Sequence, residues 1–187
     1  ARRPTYWLTQ LTLVAVACAH FSAFSDGQTL YAMQGMVVSD PMGHLLGFFA
    51  SIATIVVLVY ARPYAASREM LKGELFTLSL FSLLGVFVML SANNFLVIYL
   101  GLELMSLSLY ALVALRRDHA VSTEAAMKYF VLGALASGFL LYGLSMMYGA
   151  TGSLSIPQVF EVISTGAANK SVLVFGVVFV VAGLAFK

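Results

Sequence analysis

Residues 75–115 read LFTLSLFSLLGVFVMLSANNFLVIYLGLELMSLSLYALVAL, which is two long apolar runs joined by the short polar turn Ser-Ala-Asn-Asn. Each run approaches the roughly 20 apolar residues that an α-helix needs to cross the hydrocarbon core of a bilayer. The stretch holds one charged side chain, Glu103, and that residue lies inside the second run. We therefore predict two membrane-spanning helices, with a carboxyl group inside one of them.

The rest of the chain has the same apolar character. Of its 187 residues, 61% are hydrophobic and 10% are charged, whereas a soluble domain is about 45–50% apolar and about 25% charged. The net charge is only +2, the basic residues form no single patch, and the lone thiol of Cys18 permits no internal disulfide. This composition argues against a soluble domain and against nucleic-acid binding. It predicts an all-α, polytopic transmembrane helical bundle surrounded by lipid.

The apolar stretches predict six helices within one transmembrane domain that covers residues 1–187. The predicted helices are residues 7–24, 43–61, 75–90, 95–115, 122–148 and 171–187. The last of them is apolar up to Phe186 and meets the chain end at Lys187 without a polar tail. We therefore expect the chain to be a fragment that is cut within a helix.

The basic residues predict the orientation. Seven of the ten flank alternate ends of the predicted helices, and the segments between the other ends, residues 25–42, 91–94 and 149–170, hold only Lys170. Because short cytoplasmic loops are enriched in Lys and Arg, we predict that the amino terminus and the basic loops are cytoplasmic. The seven residues are Arg2, Arg3, Arg62, Arg68, Lys72, Arg116 and Arg117.

Two segments on the other side have local patterns. Residues 29–38 alternate apolar and polar side chains around Gln34-Gly35, which fits a short hairpin or an irregular loop. Pro157 precedes residues 158–163, which predicts a short surface helix with proline in its first turn.

Glu103 is the strongest candidate for a functional residue. A charged group at the centre of a spanning helix costs roughly 2.5–3.5 kcal/mol on insertion scales. Tyr99, Ser106 and Tyr110 stand at positions that share its helix face. Two interpretations remain open at this point: a site for a proton or cation, or a structural carboxyl group that is hydrogen-bonded between helices.

Lys128 lies near the start of the fifth predicted helix, four residues after Glu124. This spacing permits an ion pair on one helix face. Lys128 then either faces a polar interior or extends to the interface and neutralises Glu124. On the opposite side of the helix the small residues predict a docking surface for another helix. They are Gly133, Ala134, Ser137 and Gly138.

Lys187 also has two interpretations. If its helix continues, the ammonium group lies deep in the bilayer, with Gly183 leaving room beside it; if the helix ends there, the side chain reaches the interface. The histidines His20, His44 and His119 lie near the ends of predicted helices. Interfacial histidines at such positions require no function, and we predict none for them.

Residues 71–118 resemble the antiporter-like membrane subunits of respiratory complex I, and the run LGLELMSLSLY around Glu103 is the most specific part of the match. Residues 124–154, with AAMKYFVLGALASGFLLYG and YGATGSL, resemble the subunit N branch of that family in bacteria, whose mitochondrial relative is subunit 2. The ending VAGLAFK resembles the seventh family helix up to its lysine. The resemblance covers nearly the whole chain.

The resemblance implies a family fold of about fourteen helices, with two inverted repeats of five helices that each build a half-channel. It matches Glu103 with the glutamate of the fifth family helix, Lys128 with a lysine of the sixth, and Lys187 with the lysine of the broken seventh helix. These three residues are the predicted proton-translocation site. The first family helix and everything after Lys187 are missing, so the chain holds most of one repeat.

By the same resemblance, the expected function is proton translocation by a membrane subunit of NADH:quinone oxidoreductase in the bacterial inner membrane. The subunit works as part of an enzyme complex, beside other membrane-arm subunits. It holds no redox centre, cofactor or metal, and NADH, flavin (FMN), iron–sulfur clusters and quinone belong to partner subunits. The alternatives are a Mrp-type sodium/proton antiporter subunit, a membrane-bound hydrogenase-type complex, or a scaffold whose charges only lock helices together.

Overall fold

The computed structural model describes residues 2–187, with side chains from residue 4 onward. The side chains of Arg2 and Arg3, which we expected on the basic side, lie outside the described part. In chain order the elements are α1 Arg2–Asp26, β1 Leu30–Ala32, β2 Val37–Ser39, α2 Pro41–Ser67, α3 Gly73–Leu90, α4 Phe95–Val113, α5 Ala120–Thr151, α6 Ile156–Ser164 and α7 Lys170–Phe186.

Helices α1 to α5 are long and apolar enough to cross a membrane, and α7 is a shorter apolar helix. The fold is therefore the predicted transmembrane helical bundle, with one small hairpin added. The helices overlap the predicted stretches but differ at their ends. α2 continues past Ala61 to Ser67, and the 32 residues of α5 extend about 48 Å, whereas α4 stops at Val113, two residues before the predicted end. Backbone hydrogen bonds inside a helix are satisfied in lipid and in water alike, so hydropathy does not fix the helix ends.

The start of α2, the start of α4 and the end of α5 are instead set by capping residues. Asp40 caps α2 by accepting a hydrogen bond from the Gly43 amide at 3.0 Å, and Asn94 caps α4 by accepting from the Leu96 amide at 2.9 Å. Gly152 ends α5 in the left-handed region, at φ 74°, with its amide bonded to the Tyr148 carbonyl. Polar capping residues thus mark the ends that the apolar runs leave undefined.

The segment around Gln34 and Gly35 is a hairpin, so that interpretation is correct. β1 and β2 pair antiparallel, with Leu30 opposite Ser39 and Tyr31 opposite Val38. Gln34 and Gly35 both have positive φ, 56° and 82°, and Gly35 adopts this conformation without strain because it has no Cβ.

The hairpin, the α3–α4 turn and the α5–α6 loop meet at one end of the bundle. The Val38 amide donates to the Ser91 carbonyl at 2.8 Å, and the Asn93 side-chain amide donates to the Gly35 carbonyl at 2.8 Å. The Ile156 amide donates to the Asn93 carbonyl at 3.2 Å. These segments belong to the three loops that the charge pattern grouped on one side. The predicted short helix is α6, with Pro157 in its first turn.

The basic loops gather at the opposite end. Arg117 and Glu74 form an ion pair at 3.0 Å, which ties the α4–α5 loop to the start of α3. The Arg62 guanidinium lies over the Tyr6 ring, 4.5 Å from its centroid. The chain thus has a basic end and a hairpin end, as the charge pattern predicts. Which end faces the cytoplasm stays a prediction.

Three helix pairs carry most of the packing: α1 with α2, α3 with α4, and α5 with α7. A buried cluster of Tyr6, Leu13, Leu58, Phe76 and Leu83 joins α1, α2 and α3. In a second cluster, Val159 of α6 packs on α5. α4 lies between α3 and α5, and this brings the polar face of α4 against α5.

Candidate functional site

Glu103 and Lys187 lie together in the interior of the bundle. Glu103 is on α4, and Lys187 directly follows α7. The Lys187 ammonium nitrogen donates a hydrogen bond to Oε1 of Glu103. The Lys187 side chain is only 6% exposed and the Glu103 side chain 22%. A pair so shielded from water keeps its charges only if hydrogen bonds and mutual attraction offset the desolvation cost.

Ser137 of α5 completes this cluster. Its hydroxyl donates to Oε1 of Glu103 at 2.6 Å and accepts from the Lys187 nitrogen at 2.6 Å. The same hydroxyl also lies 3.0 Å from the Gly133 carbonyl. Because a hydroxyl has one hydrogen, it serves either Glu103 or Gly133 at a time. Sequence reasoning assigned Ser137 to helix packing and missed it as a member of the site.

Close packing of α7 on α5 brings Lys187 to Ser137. A Cβ on Gly176 would lie 3.1 Å from the Gly143 carbonyl, and a Cβ on Gly183 would lie 2.9 Å from the Ala136 carbonyl. The two contacts are seven residues apart on each antiparallel helix, about two turns. Lys187 stands one further turn along α7, so its side chain reaches the level of Ser137. The room predicted beside Gly183 is therefore filled by α5.

The predicted small-residue surface on α5 is only partly correct. Gly133 and Ser137 are buried, but Ala134 and Gly138 are exposed, and a Cβ on Gly138 would meet no atom within 4 Å. The buried side is rotated toward the face that contacts α4, α6 and α7. Its members are Ala126, Gly133, Ala136, Ser137, Leu140, Gly143, Leu144 and Met147.

The polar stripe predicted on α4 continues from the site toward the basic end. Ser106 is 3% exposed and donates to the Leu102 carbonyl at 2.7 Å. Tyr110 is 7% exposed, and its hydroxyl has no hydrogen-bond partner among the residues that the structure describes. This hydroxyl occupies the space where a side chain on Gly133 would stand. The Tyr110 ring meets Tyr129 edge-on, with centroids 4.6 Å apart.

The structure does not bring Lys128 to the Glu103–Lys187 pair. Its ammonium nitrogen bonds Glu124 at 2.6 Å on the same helix, and the two side chains are 71% and 64% exposed. The ion pair allowed by the spacing is therefore formed. Any role of Lys128 in proton transfer stays a prediction.

Two of the three histidines are in contact, which sequence reasoning did not predict. Nδ1 of His20 lies 3.1 Å from Nδ1 of His44, and Nε2 of His44 lies 2.8 Å from the Ser39 hydroxyl. His20 and His44 are 24 positions apart, so no local spacing signals the contact. His119, by contrast, caps α5 by accepting from the Ser122 amide at 3.3 Å.

The Glu103 site has the chemistry of a proton-transfer chain. Its ammonium, hydroxyl and carboxylate groups stand in hydrogen-bond contact, so one proton can pass from Lys187 to Glu103, directly or through Ser137. Such a transfer would turn the ion pair into two neutral groups. Small movements of α7 would break the pair and leave each charge without its partner, which is costly in an apolar interior. The residues described here contain no cluster of three or more side chains suited to a metal ion.

Comparison with known proteins gives a consistent result. Residues 92–187 match the family model described as "NADH:quinone oxidoreductase/Mrp antiporter, TM". The chain is 66% identical to NADH-quinone oxidoreductase subunit N of Polaromonas naphthalenivorans, with all of this chain and 37% of that protein covered. It is 64% identical to subunit N of Herminiimonas arsenicoxydans, with 98% and 38% covered. The chain thus spans little more than a third of the length of these curated relatives.

Two solved structures are similar to the chain. A chain of respiratory complex I from Thermus thermophilus, with bound aureothin, superposes with a TM-score of 0.78 at 27% identity, over 98% of this chain and 38% of that one. A chain of the membrane-bound sulfane sulfur reductase, an archaeal respiratory complex, superposes with a TM-score of 0.79 at 23% identity, over 98% and 38%. The second likeness bears on the fold alone.

Proposed function

Since the chain belongs to the NADH:quinone oxidoreductase/Mrp antiporter family of transmembrane proteins, we propose that it is part of a proton-translocating membrane subunit of NADH:quinone oxidoreductase. The observation that carries the proposal is the hydrogen-bonded cluster of Glu103, Ser137 and Lys187. The similarity to bacterial subunit N proteins supports this assignment over other members of the family.

In this proposal the buried pair alternates between two states. When Lys187 contacts Glu103, each charge offsets the desolvation of the other. When α7 moves away, the pair breaks, and protons are gained or lost so that no bare charge remains. Moving one charge against 100 mV costs about 2.3 kcal/mol, so the alternation needs an external source of energy. Redox reactions in partner subunits supply it, with NADH, flavin (FMN), iron–sulfur clusters and quinone bound there.

The location and orientation form part of the same proposal. The subunit lies in the bacterial inner membrane beside other membrane-arm subunits. Its basic end, which includes the Arg117–Glu74 ion pair, faces the cytoplasm, together with the amino-terminal end of α1. The hairpin end faces outward, and protons leave on that side.

Lys128 enters the proposal as a relay between this half-channel and its neighbour. Its exposed position on α5 suits contact with segments of the longer protein. Lys128→Gln and Glu124→Gln in the full-length subunit separate the two interpretations. A proton relay predicts that only Lys128→Gln lowers proton translocation several-fold. An ion pair that only neutralises charge predicts equal and small effects, because exposed pairs contribute at most about 1 kcal/mol.

The central experiment replaces Glu103 in the full-length subunit within its complex. Glu103→Gln keeps the shape of the side chain but removes its charge and its titratable proton, while Glu103→Asp keeps a titratable carboxyl group. We expect the first variant to abolish proton translocation by this subunit and the second to retain part of it. Protons moved per NADH oxidised are measured in proteoliposomes, with complex assembly checked on native gels.

Glu74→Gln is the matched control, because Glu74 is an exposed carboxylate at a helix start, paired with Arg117. It should leave proton translocation unchanged. An assembled Glu103→Gln complex that pumps normally would refute the proposal. Purification of the full-length subunit tests the assignment within the family: flavin- and iron–sulfur-containing partners identify the oxidoreductase, whereas their absence points to a Mrp-type antiporter.

A further inference from the structure

We propose that His20 and His44 form a second proton-binding site, which takes up one proton at the hairpin end of the bundle. Their Nδ1 atoms lie 3.1 Å apart, and Nε2 of His44 lies 2.8 Å from the Ser39 hydroxyl. The three residues come from α1, α2 and β2 and form one continuous chain of hydrogen-bonding groups. This chain is separate from the Glu103 cluster.

The fold leaves a fitted space for the His20 ring. A Cβ on Gly47 of α2 would lie 2.7 Å from Cε1 of His20, so the imidazole occupies a notch that only glycine leaves open. Phe87 of α3 covers the same ring, with centroids 4.7 Å apart. The imidazole is therefore held by packing from two helices while its Nδ1 is directed at His44.

The contact between the two Nδ1 atoms limits how many protons the pair holds. A hydrogen bond between them needs one nitrogen with a proton and one without. The pair therefore carries two ring protons when neutral and three when it has bound one more. A fourth would place two protonated nitrogens face to face at 3.1 Å, which like-charge repulsion opposes. The pair thus binds a single proton as a unit.

A small cavity borders the histidine pair at the hairpin end of the bundle. His20, His44, Ser39 and Asp40 line a cavity of about 90 Å³, which also borders Phe87 of α3. Asp40 is the one acidic group on this cavity, and neither the α3 residues that line it nor Ser39 carries a charge. The Asp40 carboxylate accepts a hydrogen bond from the Gly43 amide at 3.0 Å. The Ser39 hydroxyl connects His44 to the hairpin and so gives the proton a route to that end.

The test counts the imidazole groups that titrate in the complex containing the full-length subunit. Infrared difference spectra of the imidazole bands are recorded between about pH 8 and about pH 5.5 for wild type and for His20→Asn, His44→Asn and both together. Asparagine keeps a hydrogen-bonding group near Nδ1 but does not titrate. His119→Asn is the control, because asparagine also caps helices well.

We expect the double variant to lose one titrating imidazole relative to wild type, and each single variant to lose none, because the remaining histidine takes the proton alone. Loss of two imidazoles in the double variant, or loss of one in each single variant, shows independent histidines and overturns the proposal. Loss of none in the double variant shows a purely structural contact and overturns it as well. His119→Asn should lose its own imidazole only.

Ser39→Ala gives a second measurement that does not alter the histidines. Without the Ser39 hydroxyl, the pH midpoint of the imidazole band should shift by about 0.4–1 unit. An unchanged midpoint contradicts the proposal. The role of the site in proton release rests on the proposed function, but its proton binding does not. Glu103→Gln should therefore abolish translocation and leave the histidine signal intact.

Discussion

Lys187 and Glu103 are 84 positions apart in sequence, yet the lysine ammonium donates directly to the glutamate carboxylate, and Ser137 bonds both. The cluster therefore exists only where α4, α5 and α7 meet. In the proposed mechanism, a change in the distance between α7 and the other two helices breaks or forms the pair and so alters its protonation. The proposal therefore links movement of α7 directly to proton binding.

Ser137→Ala should weaken the cluster but leave the direct contact between Lys187 and Glu103 in place. Within the described residues, Ser137 has the one hydroxyl that contacts both charges. Hydrogen bonds to charged groups contribute about 1.5–3 kcal/mol each. We expect proton translocation by the full-length subunit in its complex to fall about tenfold or more, while quinone reduction continues. The measurement is the ratio of protons moved to NADH oxidised.

Ser145→Ala is the matched control for this prediction, since Ser145 is an exposed serine on the same helix. Equal ratios for the two variants would show that the Ser137 hydroxyl does not contribute. A complex with Ser137→Ala that fails to assemble, beside an intact Ser145→Ala complex, would instead show that the hydroxyl holds the helices together.

Much of the fold follows from the sequence because membrane helices must be long and apolar. A helix covers each of the six predicted apolar stretches, a hairpin forms at Gln34-Gly35, where a hairpin and an irregular loop were both open, and α6 is the predicted short helix. Helix ends were less predictable. The continuation of α2 to Ser67 depends on intrahelical hydrogen bonds that persist outside the apolar run.

The candidate site was predictable only in part, because a sequence reveals a costly charge but not its partner. Glu103 stands out by its depth in the apolar run. Its contact with Ser137 depends on the rotation of α5, which buries Ser137 and exposes its neighbour Gly138. The His20–His44 contact depends on the packing of α1 against α2. Neither relationship has a sequence signature within one helix.

Tyr110→Phe should lower proton translocation without lowering the stability of the protein. The Tyr110 hydroxyl is buried and has no partner among the residues described here, so its removal should not lower the midpoint of thermal unfolding. Tyr110 lies seven residues after Glu103, about two turns along the same face of α4, on the side of the site toward the basic end. We therefore expect the variant to slow proton translocation several-fold while its stability is unchanged or slightly higher.

Tyr142→Phe is the control for Tyr110, because Tyr142 is 53% exposed on α5. This variant should match wild type in both stability and translocation. If Tyr110→Phe unfolds at a markedly lower temperature, the hydroxyl has a hydrogen-bond partner in the full-length protein. If it transports protons at the wild-type rate, Tyr110 has no part in the path.

Two glycines on α5 allow the link between helix packing and the site to be tested with the same substitution. In a helix interior, alanine is more favourable than glycine by roughly 0.5–1 kcal/mol. A Cβ on Gly138 meets no atom within 4 Å, whereas a Cβ on Gly143 would lie 2.7 Å from both the Gly176 carbonyl and the Val180 amide nitrogen. Those two atoms belong to the α7 backbone, so α7 must move away from α5.

We therefore expect Gly138→Ala to raise or preserve the unfolding temperature of the full-length subunit, and Gly143→Ala to lower it, at a cost of about 1–3 kcal/mol from overpacking. Because α7 also carries Lys187 to Ser137, Gly143→Ala should reduce proton translocation as well, although it touches neither charged residue of the pair. A Gly143→Ala protein with normal translocation would show that the site tolerates a displaced α7, and the proposed mechanical link would then be wrong.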